Sequence, residues 1–146
     1  MRNTHGAGVF FYKKENGEIF VALGLRKINP NAGKWSFAGG NLDLTDQNYF
    51  ECAIREAREE FFNADKLAFE VIPQANLNDK KKVTFNFMLV HWDAYFIDVT
   101  GIPIKFNRQT SEVIDIQWFS INNLPRNRQF LISLEINLAK LKGYFN

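Results

Sequence analysis

The chain has 146 residues, 46% hydrophobic and 23% charged, with a formal net charge of +2. That length fits one domain spanning residues 1–146, large enough to bury its own core without staples. The near-neutral balance excludes a basic nucleic-acid arm, because the longest basic run, Lys80-Lys81-Lys82, reads as a solvated turn.

Residues 1–8 are polar and lack the apolar centre of a signal peptide. No apolar run approaches the roughly 20 residues of a membrane helix. The expectation is a cytoplasmic protein without a membrane partner. Residues 7–12 and 19–25 are apolar and rich in β-formers, with Asn16-Gly17 between them, the strongest short signal for a hairpin. Residues 27–34 hold Asn29-Pro30-Asn31 and Gly33 and predict a loop. Trp35-Ser36-Phe37 predicts a short strand ended by Gly39-Gly40, and residues 41–46 a polar loop.

Residues 47–62 predict a helix, since Phe50, Ala53, Ile54, Ala57 and Phe61 recur on one face at helical spacing. Thr45 or Asp46 is the expected N-cap. The single cysteine, Cys52, lies on this helix; it allows no intrachain disulfide, nothing near it marks a nucleophile, and it reads as inert. Residues 83–99 predict one long strand or two with a bend, and residues 113–119 another. A turn over residues 121–125 leads to a second helix over residues 128–141, with Phe130, Leu131, Leu134, Leu138 and Leu141 as its apolar positions and Gly143 as its stop. Strands with two helices predict a mixed sheet packed by helices. Fifteen phenylalanines predict an aromatic core.

The first helix carries the chemistry. With Ala53 at zero and about 100° per residue, Glu56, Glu60 and Glu59 fall at roughly 300°, 340° and 240°, one arc beside the apolar stripe. Like charges at these spacings repel, and a hard divalent cation offsets that repulsion because it takes carboxylate oxygens. The alternative is a solvated acidic face, with Arg55 paired to Glu51 and Glu59 at i, i+4.

The context decides between them. Gly39-Gly40, a loop and then Arg55-Glu56-Ala57-Arg58-Glu59-Glu60 resemble the Nudix box, G-x5-E-x7-R-E-U-x-E-E-x-G-U, with Ala57 as a small U. Trp35-Ser36-Phe37-Ala38-Gly39-Gly40 resembles the lead-in W-x-F-P-G-G, with alanine for proline. Gly8-Val9-Phe10-Phe11, the Asn-Gly turn and Ala22-Leu23-Gly24-Leu25-Arg26 resemble the family's first hairpin. Ser111-Glu112-Val113, Trp118-Phe119 and Leu124-Pro125 resemble its late segment. Three positions depart from the pattern. The stretch from Gly40 to Arg55 is one residue longer, the first box Glu falls at Gln47 or Asp46, and Phe62 replaces the final Gly. Asp46 or Glu51 is expected to brace Arg55 instead, and the helix to end at Asn63.

The resemblance implies an α/β (α+β) fold, a Nudix-like α/β/α sandwich around a mixed central sheet. It also implies a Mg²⁺-dependent hydrolase, with Mn²⁺ as substitute, that cuts a phosphoanhydride bond in a nucleoside diphosphate-X substrate. By the same resemblance Glu56, Glu59, Glu60 and Glu112 hold metal with the Gly39 carbonyl. Glu56, Glu60 or Glu112 handles the water; Arg26 and Gly40 meet substrate, and Arg55 braces the box. His5 and His91 read as structural. Marks of the NADH, ADP-ribose and dinucleoside-polyphosphate subfamilies are absent after the box, so the expected partner is a nucleoside triphosphate or a nucleotide sugar. A homodimer is left open. The alternative is a silent Nudix-like domain that binds a nucleotide or a protein.

Overall fold

Two left-handed residues make the first hairpin. Asn16 (φ 52°) and Gly17 (φ 79°) form its two-residue turn, which suits the twist of the flanking strands. The turn joins β1 (Thr4–Glu15) to β2 (Glu18–Arg26), paired from Tyr12↔Val21 to Glu15↔Glu18. The structure, a computed structural model, describes residues 4–29 and 31–146. The polar start at residues 1–3 and the proline expected in the residue 27–34 loop lie outside the described residues.

Beyond Tyr12 and Val21 the hairpin strands diverge, and residues 35–41 fill the wedge. β3 (Trp35–Ser36) pairs with β2 at Gly24↔Ser36, then β4 (Ala38–Asn41) pairs with β1 from Val9↔Ala38 to Gly6↔Asn41. Gly39-Gly40 therefore lie inside a strand, not at its end as expected. The reason is close backbone approach: a Cβ on Gly6 would collide with the Gly40 carbonyl. Glycine here permits contact rather than breaking the strand.

β5 (Lys81–Phe87) and β6 (Val90–Asp98) form a second hairpin through Met88 (φ 52°), so the stretch expected as one strand or two is two. β6 runs parallel to β1 from Thr4↔Val90 to Tyr12↔Asp98. β7 (Val113–Ser120) pairs antiparallel with β2. Among the described residues the result is a seven-stranded mixed sheet of order β3-β2-β1-β6-β5, with β4 on β1 and β7 on β2.

Strand side chains alternate between faces, so each central strand feeds two cores. Ala7, Val9, Phe11, Tyr95 and Ile97 join one cluster; Phe10, Tyr12, Ala94 and Phe96 join the other. α1 (Tyr49–Phe62) covers the first, with the short α2 (Lys66–Phe69) and α3 (Gln74–Asn78), which contribute buried Phe69 and Leu77. α4 (Ile132–Leu141) covers the second. The expected α/β/α layering holds, and so does the aromatic core, where Phe10 stacks on Phe96 at 4.8 Å.

Asn48, not Thr45 or Asp46, caps α1. Its side chain accepts from Glu51 N–H at 2.9 Å, while Glu51 accepts from Gln47 N–H at 2.7 Å. The helix therefore begins two residues later than expected. It ends as expected at Asn63 (φ 48°), after which Ala64 N–H bonds Arg58 C=O at 2.7 Å, satisfying an orphan carbonyl. Phe62 replaces the box glycine because it is a core residue, packed edge-on against Phe11 at 5.9 Å and Phe69 at 5.3 Å.

α4 corrects the expected face. It buries Ile132, Glu135, Ile136 and Ala139, leaving Phe130 76% and Leu141 84% exposed. The helix carries apolar residues on two opposite sides, Ile132, Ile136 and Ala139 on one and Leu134, Leu138 and Leu141 on the other, so spacing alone cannot choose its inner side. Residues 128–131 are not helical, because Trp35 N–H bonds Asn127 C=O at 2.8 Å and Gln129 N–H bonds Trp35 C=O at 2.9 Å. That pairing with β3 sets the roll of α4. Both oxygens of buried Glu135 lack a hydrogen-bond partner, and burial pushes its carboxyl up to about 8. No helix among the described residues is long and apolar enough to cross a membrane.

Candidate active site

The wedge between β1 and β2 opens into a cleft of about 790 Å³. β4 supplies Gly39 and Gly40, α1 supplies Glu56 and Glu60, the end of β2 supplies Arg26, and the approach to β7 supplies Glu112. The pairing of β2 with β7 skips Ile114 between Leu25↔Asp115 and Arg26↔Val113, a bulge that re-aims the strand ends. Lys27 N–H then bonds Glu112 C=O at 2.9 Å. The loop before Glu112 is pinned to the end of α1, where Thr110 Oγ1 donates to Glu60 C=O at 2.9 Å and Asn107 N–H to Phe61 C=O at 2.8 Å.

Glu60 is the centre of this arrangement. Its side chain is 3% exposed, and neither carboxylate oxygen has a hydrogen-bond partner. Burial first, then the facing Glu112 carboxylate, push the Glu60 carboxyl up to about 10 against the pull of Arg26. Arg26 Nη1 stands 3.6 Å from Glu60 Oε2 and 3.7 Å from Glu112 Oε2. Burial also raises Glu56, which Arg55 partly offsets. A Cβ on Gly40 would fall 2.5 Å from the Glu56 carboxyl, so glycine there leaves the room that Glu56 fills.

Arg55 is a brace. Its Nε and Nη2 donate to Asp46 at 3.0 and 2.8 Å, Nη2 also to Asn41 C=O at 3.2 Å, and Nη1 to Glu56 at 3.0 Å. The guanidinium holds the Asp46 carboxyl below the usual carboxylate range. Of the two residues expected to brace it, Asp46 does so and Glu51 caps the helix. The inserted loop residue is absorbed without moving the acidic partner out of reach.

The structure thus brings together Arg26, Gly39, Gly40, Glu56, Glu60 and Glu112, and sets Glu59 apart. Glu59 is 54% exposed, 3.7 Å from Arg55 Nη1, on a groove along the outer side of α1. Cys52 is buried, donates weakly to Gly40 C=O at 3.5 Å and is pushed up to about 12 by burial, consistent with an inert thiol. His5 and His91 pack with Tyr49, His91 at 4.4 Å, outside the cleft. Ser36 and Phe37, from the lead-in to the box, also line the cleft, as do Trp92, Gln129 and Leu131, which no sequence signal marks as site residues. Gln129 falls inside a stretch whose spacing predicts helix, and nothing in a strand pattern tells which Trp faces a ligand.

A divalent cation suits this donor set. A buried carboxyl without a hydrogen-bond partner, facing a second carboxylate, is costly unless a cation neutralises it, and Mg²⁺ or Mn²⁺ takes carboxylate oxygens. Among the described residues no group of three or more Asp, Glu, His or Cys side chains stands placed to hold a metal ion. Arg26 is a cation standing at Glu60 and Glu112.

A mixed sheet between helices, opening on a carboxylate-lined cleft at a Gly-Gly strand, defines a Nudix-type hydrolase. The chain belongs to the Nudix family: the family model described as the NUDIX domain matches residues 2–135. Among solved structures, an Ap4A hydrolase of C. elegans in a binary complex superimposes with a TM-score of 0.65 at 19% identity, over 97% of this chain and 99% of that one. The NUDIX domain of Shewanella oneidensis NrtR complexed with ADP ribose gives 0.66 at 16% identity, over 97% and 89%. A bifunctional NMN adenylyltransferase/ADP ribose pyrophosphatase from Francisella tularensis, complexed with AMP and Mn ion, gives 0.70 at 15%, over 97% of this chain and 42% of that one. No curated protein matches the sequence.

Proposed function

We propose that this single Nudix domain is a Mg²⁺-dependent hydrolase, Mn²⁺ substituting, that cleaves a phosphoanhydride bond in a nucleoside diphosphate-X substrate. A nucleoside triphosphate or a nucleotide sugar is the substrate proposed. The observation that carries this reading is Glu60, a buried carboxyl without a hydrogen-bond partner that faces Glu112 and Arg26 at the cleft wall. Structurally similar proteins are named as an Ap4A hydrolase and an ADP ribose pyrophosphatase, which supports a nucleotide anhydride as the substrate class.

The bound ion supplies neutralisation of phosphate charge and acidification of a water. Glu56, Glu60 and Glu112 are proposed to hold it, with the Gly39 carbonyl; Glu59 reaches it only by turning in from the outer groove. Arg26 is proposed to exchange Glu60 and Glu112 for the substrate phosphate, where its fork can bind two oxygens. Gly40 lets the phosphate approach the backbone. Glu112, 34% exposed at the cleft wall, is proposed to take the water's proton at its carboxylate. Glu60 or Glu56 orients that water. Arg55 keeps α1, the β4 end and Asp46 in register and touches no substrate. A cytoplasmic location completes the proposal.

The test is a panel of nucleoside triphosphates and nucleotide sugars with Mg²⁺, reading phosphate and nucleoside monophosphate. Turnover that EDTA abolishes and Mg²⁺ restores is expected. Nucleotide binding without any turnover would instead favour a silent domain, a reading that the gripped Arg55 weakens, since the box brace is intact.

A further inference from the structure

Arg26 stands where two elements bring their carboxylates together. Its Nη1 lies 3.6 Å from Glu60 Oε2 on α1 and 3.7 Å from Glu112 Oε2 on the approach to β7. Both separations are longer than a well-made hydrogen bond, so charge holds this trio more than directed bonding does. Neither Glu60 oxygen has a hydrogen-bond partner. The backbone beneath the arginine is fixed. Arg26 N–H bonds Lys34 C=O at 3.0 Å, Arg26 C=O accepts from Gly33 N–H at 2.8 Å, and Lys27 N–H bonds Glu112 C=O at 2.9 Å. Movement is therefore left to the side chain, which lines the open cleft of about 790 Å³.

A divalent cation and Arg26 compete for the same oxygens. Either one stabilises the facing carboxylates, but both at once set like charges a few ångströms apart. The side chains of Arg26 and Glu60 are largely buried, so water screens that repulsion little. A phosphate changes the balance. The guanidinium fork matches two phosphate oxygens in charge-assisted bonds of about 2.8 Å, shorter than its contacts with Glu60 and Glu112. An arginine drawn to phosphate leaves the carboxylate oxygens to the cation. Each ligand thus improves the site for the other, and linkage makes the two factors equal.

We propose that Arg26 is the internal counter-ion of this site and couples its two ligands: it holds Glu60 and Glu112 against the divalent cation until a phosphate draws it away. The chain accordingly takes up metal and nucleotide together, as a metal–nucleotide complex, rather than keeping a resident ion. This rests on the metal-dependent reading above and adds the regulation of that same site.

Two separate calorimetric titrations of the full chain test it, and neither needs turnover. One uses Mn²⁺ alone. The other uses methylenediphosphonate alone, whose bridging carbon cannot be hydrolysed. Arg26→Met keeps an apolar stem and removes the charge. It should bind Mn²⁺ at least about tenfold more tightly than the natural chain, and methylenediphosphonate at least about tenfold more weakly, the low end for a close charge pair. Opposite movements separate a counter-ion from a merely structural arginine, whose loss would weaken both. Arg26→Lys, which keeps the charge, should stay near the natural chain in both titrations. Arg26→Gln takes the place of Arg26→Met if the latter does not fold. A folded uncharged variant that binds Mn²⁺ no more tightly overturns the proposal, as does one that binds methylenediphosphonate as well as the natural chain. Either result leaves the metal reading standing if Glu60→Gln weakens Mn²⁺ binding. Mn²⁺ that binds neither the natural chain nor any variant at millimolar concentration removes both.

Discussion

Asp46 grips Arg55 with both oxygens, at 3.0 Å from Nε and 2.8 Å from Nη2, across a loop whose length departs from the Nudix pattern. Arg55 in turn reaches the Asn41 carbonyl and Glu56, so one carboxylate orients the end of β4 and a cleft carboxylate together. Asp46→Ala should lower turnover by about 10- to 100-fold, the usual cost of losing a group that orients a ligand. Circular dichroism should still show a folded chain. Glu51→Gln should be mild, since an amide oxygen can still accept from Gln47 N–H; a Glu51→Gln loss as deep as that of Asp46→Ala would mean the wrong residue has been named as brace.

Glu60→Gln should lower turnover by roughly 10² or more, the scale on which lost electrostatic stabilisation registers. Glu112→Gln should fall between Glu60→Gln and the natural chain, or match Glu60→Gln if Glu112 takes the proton. Glu59→Gln should cost less than Glu60→Gln, because Glu59 faces the outer groove. Steady-state kinetics of the three folded variants give the ranking, and Glu59→Gln as the worst would reverse the assignment of the metal face.

Mn²⁺ should raise the melting temperature of the natural chain in proportion to ligand occupancy, as any ligand of the native state does. Glu60→Gln should shrink that rise. An identical Mn²⁺ shift in both proteins would place the ion elsewhere.

Glu135 sets a pH dependence of stability. Burial alone raises its carboxyl to about 8 in the folded chain, from an ordinary value of 4.5. The folded state therefore binds the extra proton between those values, and stability falls as pH rises from about 4.5 to about 8, then levels. Below that window the group is neutral in both states and its penalty is absent. Glu135→Gln cannot ionise and should flatten this slope, gaining on the order of a few kcal/mol near pH 9 relative to the natural chain. Thermal melts at pH 5, 7 and 9 check it; parallel curves for the two proteins would show that Glu135 is hydrated or paired.

What could be read in the sequence was what local chemistry decides. Asn16-Gly17 dictates its own turn, and the stripe from Phe50 to Phe61 leaves α1 one side to bury. The helical spacing of Glu56 and Glu60 puts them on one arc, but only the β2–β7 bulge and the pinned loop bring Glu112 to Glu60. α4 misled because Phe130, Leu134 and Leu141 are as apolar as Ile132 and Ile136, and its roll is set by a pairing with Trp35 that lies more than ninety residues away in sequence. Gly39-Gly40 misled because the glycine that usually interrupts a strand is here demanded by the strand beside it.

That seam of glycines divides the cleft into a part free to diversify and a part that is not. Rim side chains such as Ile28, Leu42 and Val90 stand partly in solvent and can be exchanged with little consequence for the fold. At Gly6 and Gly8 even a methyl would strike backbone and ring atoms, whereas at Gly40 it meets only the movable end of Glu56. A saturation library should therefore show a step rather than a gradient at Gly6 and Gly8, alanine failing as badly as tryptophan. Descendants of this scaffold could drift to new ligands by changing the rim, while inheriting the same floor unaltered.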